Sequence, residues 1–221
     1  MTSVDAFTRD HLAAHYLSRA RGELTTSLAF GHIISDLNGQ SGCMDLVRAA
    51  QSARADELRH VELCLDLARR FSDEPLPELA PRGTKPVTLV GASEQDMQVL
   101  RTVLGCCFGE TIAVQWLSDA RPLCRDEKAR LENRVHLADE VKHSRLGWSY
   151  LGSLSPKQKS LVAAYVPVMT ALSLRLWTEP EALTPEGLET FGCPSDEATE
   201  ASVRRALDEV ILPGLQVCGC L

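Results

Sequence analysis

Residues 55–60 and 138–143 share one pattern, Ala-Asp-Glu followed by two residues and His. A Gly-Glu pair precedes each copy: Glu23 lies 34 residues before Glu57, and Glu110 lies 30 residues before Glu140. A single Glu-x-x-His is common in helical proteins, but this duplication is not. Because residues i and i+3 of an α-helix lie on one face, each copy directs a carboxylate and an imidazole toward the same point. The duplication therefore favours a helical fold that brings two such faces together.

Four helices would then supply four carboxylates and two imidazoles, which is the donor set of a bundle that holds two iron or manganese ions. Carboxylates with a minority of imidazoles suit these ions better than zinc, which favours sulfur-rich or tetrahedral sites. The alternative, charged side chains on solvated helix faces, would have to produce the same spacing twice. The six candidate metal-binding residues are Glu23, Glu57, His60, Glu110, Glu140 and His143.

Over roughly residues 5–153 the chain resembles the ferritin-like di-iron carboxylate proteins, which include bacterioferritins, rubrerythrins, fatty-aldehyde deformylating oxygenases and arylamine N-oxygenases. The resemblance implies that the six residues bind two iron ions, or one manganese and one iron ion. It also implies that Glu57 and Glu140 bridge the two ions. Asp56 and Asp139, each directly before one of these glutamates, would then accept hydrogen bonds from the metal-bound imidazoles.

His136 extends the second copy of the pattern by one turn, since it lies four residues before Glu140 and seven before His143. The arylamine N-oxygenases carry an additional metal-binding histidine in this His-x-x-x-Glu-x-x-His arrangement. The partial resemblance to them implies that His136 is a seventh metal ligand. The alternative is that His136 only hydrogen-bonds a neighbouring carboxylate.

Length and composition predict one all-α domain over residues 1–221. Strand-type alternation is scarce, and Ala, Leu, Glu and Arg dominate the long segments. The net charge of −7 argues against nucleic-acid binding. The N-terminus lacks the features of a signal peptide, and the most apolar stretch, 161–174, is too short to span a bilayer. We therefore expect a cytoplasmic protein without a membrane partner and with reduced cysteines. A homodimer is one oligomeric state that we expect.

The periodicity predicts a ferritin-like four-helix bundle, at about 4–154, followed by a helical C-terminal extension at about 155–221. Prolines and glycines between 74 and 93 predict one long crossover between helices two and three. Twenty extended residues span about 65 Å, so the second hairpin is expected to begin at the end where the first began. The predicted helices are 4–37, a second ending near 71, 93–120, 125–154, a kinked helix 157–177 and a terminal helix 198–212.

Small residues next to the candidate ligands leave room for dioxygen and an organic substrate, or else serve close helix packing. They are Gly22, Ala53, Gly109, Ala113 and Gly147. Cys64 lies one turn after His60 and Cys107 one turn before Glu110, so both thiols can border the same space. The alternative is that both cysteines are small buried residues that only fill the apolar core.

The resemblance implies an oxidoreductase that activates dioxygen to oxidise a small organic substrate by hydroxylation, N-oxygenation or oxidative cleavage. No flavin, nicotinamide or iron–sulfur motif is visible in the chain, so an external electron donor such as a ferredoxin or a reductase is implied. The first alternative is an iron-handling ferroxidase or peroxide scavenger. The second is a non-catalytic bundle with a structural dimetal site.

Overall fold

The computed structural model describes residues 5–40, 42–179, 184 and 187–221, and within these residues the protein is all-helical without strands. A π-helical segment, Val103–Gly109, interrupts the third helix, and another, Ala206–Ile211, interrupts the last one. A short 3-10 turn, Glu189–Phe191, precedes this last helix. The helices are α1 (Ala6–Asn38), α2 (Met44–Phe71), α3 (Glu94–Ala120), α4 (Glu127–Ser153), α5 (Pro156–Thr178) and α6 (Asp196–Arg205, the π segment, and Leu212–Val217).

Side-chain caps set the starts of the helices close to where the sequence predicts them. Ser93 and Asp96 form a capping box at α3, in which each side chain accepts a hydrogen bond from the other residue's backbone N–H. Ser155 and Gln158 form the same motif at α5, where Pro156 occupies the first turn. These caps satisfy backbone donors that have no partner within the helix, and proline has no such donor to satisfy.

The ends of the chain differ from the prediction in detail. The predicted start of helix one at Val4 lies outside the described residues. The terminal helix is predicted over 198–212, but it begins at Asp196 and continues after the π segment to Val217. It closes in a left-handed turn at Gly219, with φ of 73°, and the Cys220 N–H donates to the Leu215 carbonyl at 2.9 Å. This Schellman motif buries Cys220 completely.

The first two helices are antiparallel, because Arg9 at the start of α1 donates a hydrogen bond to the carbonyl of Phe71 at the end of α2. The start of α3, however, lies beside the end of α1: Arg101 donates two hydrogen bonds to Asp36, at 2.7 and 2.9 Å. The prediction that the second hairpin begins where the first began is therefore wrong. The crossover runs the length of the first hairpin, and on the way its Arg82 N–H donates to the Thr25 hydroxyl.

The fourth helix returns antiparallel to α3. Asp126, which caps α4, accepts two hydrogen bonds of 2.7 Å from Arg70 near the end of α2. At the other end, the Tyr150 hydroxyl donates to Gln40, directly after α1. Helices α1 to α4 therefore lie side by side, and their middle turns carry the candidate metal-binding residues.

Gly147 of α4 serves close packing and does not line a pocket. A Cβ atom at this position would lie 2.6 Å from both the backbone carbonyl carbon and the Cβ atom of Cys106 in the π segment of α3. The two backbones therefore approach so closely that only glycine fits between them. Gly152, on the same helix, has no atom within 4 Å of such a Cβ.

We expect Gly147→Ala to lower the free energy of unfolding by about 1–3 kcal/mol, since the added methyl group overpacks this contact and forces the two backbones apart. Gly152→Ala is the matched control, and it should be neutral or stabilising by up to about 1 kcal/mol, because alanine is the better helix former. Urea unfolding of the three proteins measures both effects. Equal stability of the two variants would show that helix α4 is not held against the π segment.

Among the residues that the structure describes, two helices are long and apolar enough to cross a membrane by length and composition, α3 and α5. In α3, 72% of the most apolar stretch is buried, as expected for a core helix. In α5 only 22% is buried; Val162, Val166 and Met169 contact the core and the opposite face is open. The absence of a membrane partner and the cytoplasmic location remain predictions.

Candidate metal centre

The structure brings all six predicted metal-binding residues together in the middle of the four helices. Their ligand atoms form two overlapping groups, and within each group the atoms lie within 4.8 Å of one another. The Glu23 position comprises Glu23, Glu57, His60 and Glu140, and the Glu110 position comprises Glu57, Glu110, Glu140 and His143. Glu57 and Glu140 belong to both groups, which is the geometry that a pair of bridging carboxylates requires.

Several buried atoms at this centre have no hydrogen-bond partner within the described part of the chain. They include both carboxylate oxygens of Glu57, Nδ1 of His60 and Nε2 of His136. Buried polar groups are nearly always hydrogen-bonded, and leaving them unpaired costs free energy. Carboxylate oxygens and imidazole nitrogens are also the donors that iron and manganese accept. The residues present therefore fit a pair of such ions.

The charges at the centre also favour bound cations. Burial, followed by repulsion from Glu140, raises the pKa of Glu57 well above its usual range. The same two causes raise the pKa of Glu110. For Glu140 burial acts in the same direction, but hydrogen bonds with His143 and Glu110 outweigh it and lower its pKa to about 2. Four carboxylates can share this buried space most easily when positive charge lies between them.

Asp56 and Asp139 hold the two imidazoles, but each holds the histidine of the other helix. His60 Nε2 lies 3.2 Å from Asp139 Oδ2, and His143 Nε2 lies 3.4 Å from Asp56 Oδ2. Because a carboxylate accepts the Nε2 proton in each case, Nδ1 of both rings faces the centre. His143 Nδ1 is hydrogen-bonded to Glu140 Oε2 at 3.0 Å, and it lies at the same distance from Glu57 Oε1 without the geometry of a hydrogen bond. The two acids therefore lie where they can accept hydrogen bonds from the imidazoles, as predicted. The sequence did not predict that each acid pairs with the histidine of the other helix.

His136 lies beside the Glu23 position and uses its two nitrogens differently. Its Nδ1 lies 2.7 Å from Glu132 Oε1, while its unpartnered Nε2 lies 3.9 Å from Glu23 Oε1. The His136 and His60 ring centroids are also 3.9 Å apart. The two predicted roles, metal ligand and hydrogen-bond partner of a carboxylate, are therefore compatible, because they involve opposite sides of the ring.

A buried pair that the sequence patterns did not reveal lies behind His136 and consists of Arg19 and Glu132. Their charged groups approach to 3.1 Å. Burial tends to raise the pKa of Glu132, but Arg19 and His136 outweigh this effect and lower the pKa to about 2. The signal was available: Glu132 lies four residues before His136, and Arg19 four before Glu23. Extending each helix face by one further turn would have found both residues.

The π segment of α3 contains Cys106 and Cys107, which have different neighbours. The Glu110 N–H donates to the carbonyl of Gly105, five residues earlier, so this turn contains one residue more than an α-helical turn. Glu110 is accordingly among the groups that raise the pKa of the Cys106 thiol, after burial. For Cys107 the corresponding neighbours are Cys218 and Cys220. These neighbours agree with the alternative for Cys107, a small buried apolar residue, whereas Cys64 does lie beside Glu23 and His136.

The raised pKa values lead to a prediction for the metal-free protein. Between the usual glutamate pKa near 4.5 and the higher folded pKa of Glu57, the unfolded chain is ionised while the folded protein holds a proton. Stability is then lost as the pH rises, at ~1.4 kcal/mol for every pH unit crossed between the two pKa values. Glu57→Gln removes this loss. We expect the variant to gain more stability over the parent at pH 8 than at pH 5.

Urea unfolding in the presence of a chelator at the two pH values measures this difference. Glu62→Gln, on the exposed face of the same helix, is the control and should give no pH-dependent gain. A gain for Glu57→Gln that is identical at pH 5 and pH 8 would show that Glu57 is ionised in the folded protein throughout.

Comparisons of the chain with protein family models, with curated proteins and with solved structures find no match. The assignment of this centre therefore rests on the donor residues and their geometry.

Proposed function

We propose that this protein is a ferritin-like oxidoreductase that binds two metal ions and activates dioxygen to oxidise a small organic molecule. The observation that carries the proposal is the pair of overlapping donor groups that share Glu57 and Glu140. The antiparallel pairs α1–α2 and α3–α4, joined by a crossover along their length, support the bundle assignment. Two iron ions, or one manganese and one iron ion, are the best match to the carboxylate-rich donor set.

When bound in their reduced state, two such ions supply the electrons that reduce dioxygen. The contribution of the chain is the placement of its own groups. Glu57 and Glu140 belong to both positions, where their negative charges would offset the charges of the bound ions. Asp56 and Asp139 hold the imidazoles with Nδ1 directed inward. The surrounding buried side chains, such as Phe30 beside His143, exclude water from the centre.

The partners that follow from this proposal are dioxygen, a small organic substrate and an external electron donor such as a ferredoxin or a reductase. The chain carries no recognisable binding motif for a flavin or nicotinamide of its own. The electrons for repeated turnover therefore have to come from outside.

The test is dioxygen consumption by protein loaded anaerobically with ferrous iron and supplied with a chemical reductant and a panel of arylamines and aldehydes. We expect iron binding to saturate at two ions per chain, with reductant-dependent oxygen uptake and an oxidised organic product. Iron oxidation that continues far beyond two ions per chain, together with assembly into a large shell on size exclusion, would favour the ferroxidase alternative. Two bound ions without any oxygen uptake would favour the structural site.

A further inference from the structure

A buried ion pair next to the metal centre has no role in the function proposed above. Arg19 NH2 lies 3.1 Å from Glu132 Oε1, and the side chains are 11% and 3% exposed. Arg19 is held in place by the Asn133 side chain at 3.2 Å and by the ring of Trp116, whose centroid lies 5.1 Å from the guanidinium carbon. Burying such a pair costs desolvation free energy, so an apolar pair would stabilise the fold at least as well. Its place beside a candidate metal-binding histidine is suited to a positioning role.

The pair determines which way the His136 ring faces. Glu132 Oε1 accepts a hydrogen bond from His136 Nδ1–H at 2.7 Å, and Arg19 NH2 lies at the same edge of the ring, 3.2 Å from Nδ1 and 3.1 Å from that carboxylate oxygen. Nε2 thereby faces the centre, 3.9 Å from Glu23 Oε1, and has no hydrogen-bond partner among the described residues. A carboxylate behind an imidazole is the usual arrangement that orients metal-binding histidines in proteins.

With His136 in this orientation, the two metal positions are chemically different. The Glu23 position has two imidazole nitrogens nearby, Nδ1 of His60 and Nε2 of His136, whereas the Glu110 position has one, Nδ1 of His143. We propose that the Arg19–Glu132 pair positions His136 as a donor to the Glu23 position, and that the first divalent ion to bind occupies this position. The inference rests on the proposed metal site and adds the order in which its positions fill.

The physical reason for this order is the preference of the later first-row ions for imidazole over carboxylate. Both positions share Glu57 and Glu140, and each has one further glutamate, so these donors do not distinguish them. Cys64 lies beside the Glu23 position, but burial raises the pKa of its thiol well above its usual range, which disfavours the thiolate that a metal would bind. The additional imidazole is therefore the donor that distinguishes the two positions. Removing the partner that orients a metal-binding histidine typically costs about 10–100-fold in metal affinity.

The experiment is an anaerobic titration of the metal-free protein with Co²⁺, followed by proton NMR of the paramagnetically shifted, exchangeable imidazole N–H signals. At one Co²⁺ per chain we expect two such signals, from His60 Nε2–H and His136 Nδ1–H. At two Co²⁺ per chain a third signal should appear, from His143. In His136→Ala the first ion should show one signal, and in His143→Ala it should still show two.

The positioning role is tested with Arg19→Met/Glu132→Met, which removes both charges together. We expect the first Co²⁺ to bind about 10–100-fold more weakly, with loss of the His136 signal, while Glu132→Gln, which keeps an acceptor for Nδ1–H, retains the signal. The matched control is Glu200→Met/Arg204→Met, which removes an exposed ion pair on α6 and should change neither reading. If the double methionine variant does not fold, the signal counts of His136→Ala and Glu132→Gln decide the question.

Two results would overturn the inference alone. One is a first Co²⁺ that shows a single imidazole signal in the parent protein. The other is a double methionine variant with unchanged affinity and both signals. If instead the parent binds no Co²⁺, Mn²⁺ or Fe²⁺ at all, the proposed function fails together with the inference.

Discussion

Anaerobic loading with ferrous iron should give two tightly bound ions per chain, and replacing either Glu57 or Glu140 by alanine should abolish the dinuclear state. Each of these carboxylates belongs to both donor groups, so its loss removes a donor from both positions at once. Both side chains are buried, and a water molecule in the cavity left by alanine would not offset the charge of two cations. Metal analysis after gel filtration measures the number of ions.

Glu62→Ala is the matched control, because Glu62 lies on the exposed face of the helix that carries Glu57. It should retain two ions per chain. Two tightly held ions in the double variant Glu57→Ala/Glu140→Ala would refute the assignment of these two residues as bridging ligands.

Removing the metal is expected to destabilise the protein strongly. Ions that bind only the folded state stabilise it by about 2.7 kcal/mol per site at a free concentration of 100 Kd, so two sites give about 5 kcal/mol. For a chain of this size such a change shifts the unfolding midpoint by roughly 10–20 °C. Thermal unfolding with Mn²⁺ or with a chelator, followed by circular dichroism at neutral pH, measures the shift.

The same comparison on Glu57→Ala/Glu140→Ala should show little or no dependence on Mn²⁺, whereas Glu62→Ala should behave like the parent. A parent protein that binds two Mn²⁺ ions without any rise in its unfolding temperature would show that these ions bind the folded and unfolded chains equally. That outcome would exclude the buried centre as their site.

Local patterns in the sequence were sufficient to find the helices and the donors. Glu57 with His60, and Glu140 with His143, share a helix face because the helical period is a property of the chain itself. The caps at Ser93 and Ser155 are likewise local, since each involves residues three apart. For this reason the predicted helices agree with the structure to within a few residues at most ends.

Other features depend on contacts between residues that are far apart in the chain. Asp56 holds His143 and Asp139 holds His60, and no spacing within one helix distinguishes this crossed pairing from its opposite. Arg19 of α1 pairs with Glu132 of α4. Such contacts depend on how the helices are arranged beside one another, which the helical period alone does not specify.

The duplicated Glu-x-x-His pattern by itself determined an all-helical chain with two carboxylate–imidazole faces, because the period of 3.6 residues is local. Only the tertiary structure decided that the second hairpin begins beside the end of α1, where Asp36 pairs with Arg101. It likewise decided that Cys106 packs against Gly147 and lies near enough to Glu110 for this carboxylate to raise the pKa of its thiol, after burial. The reason is that the π segment adds one residue to a turn that packs directly against Gly147, a contact between two helices that periodicity cannot reveal.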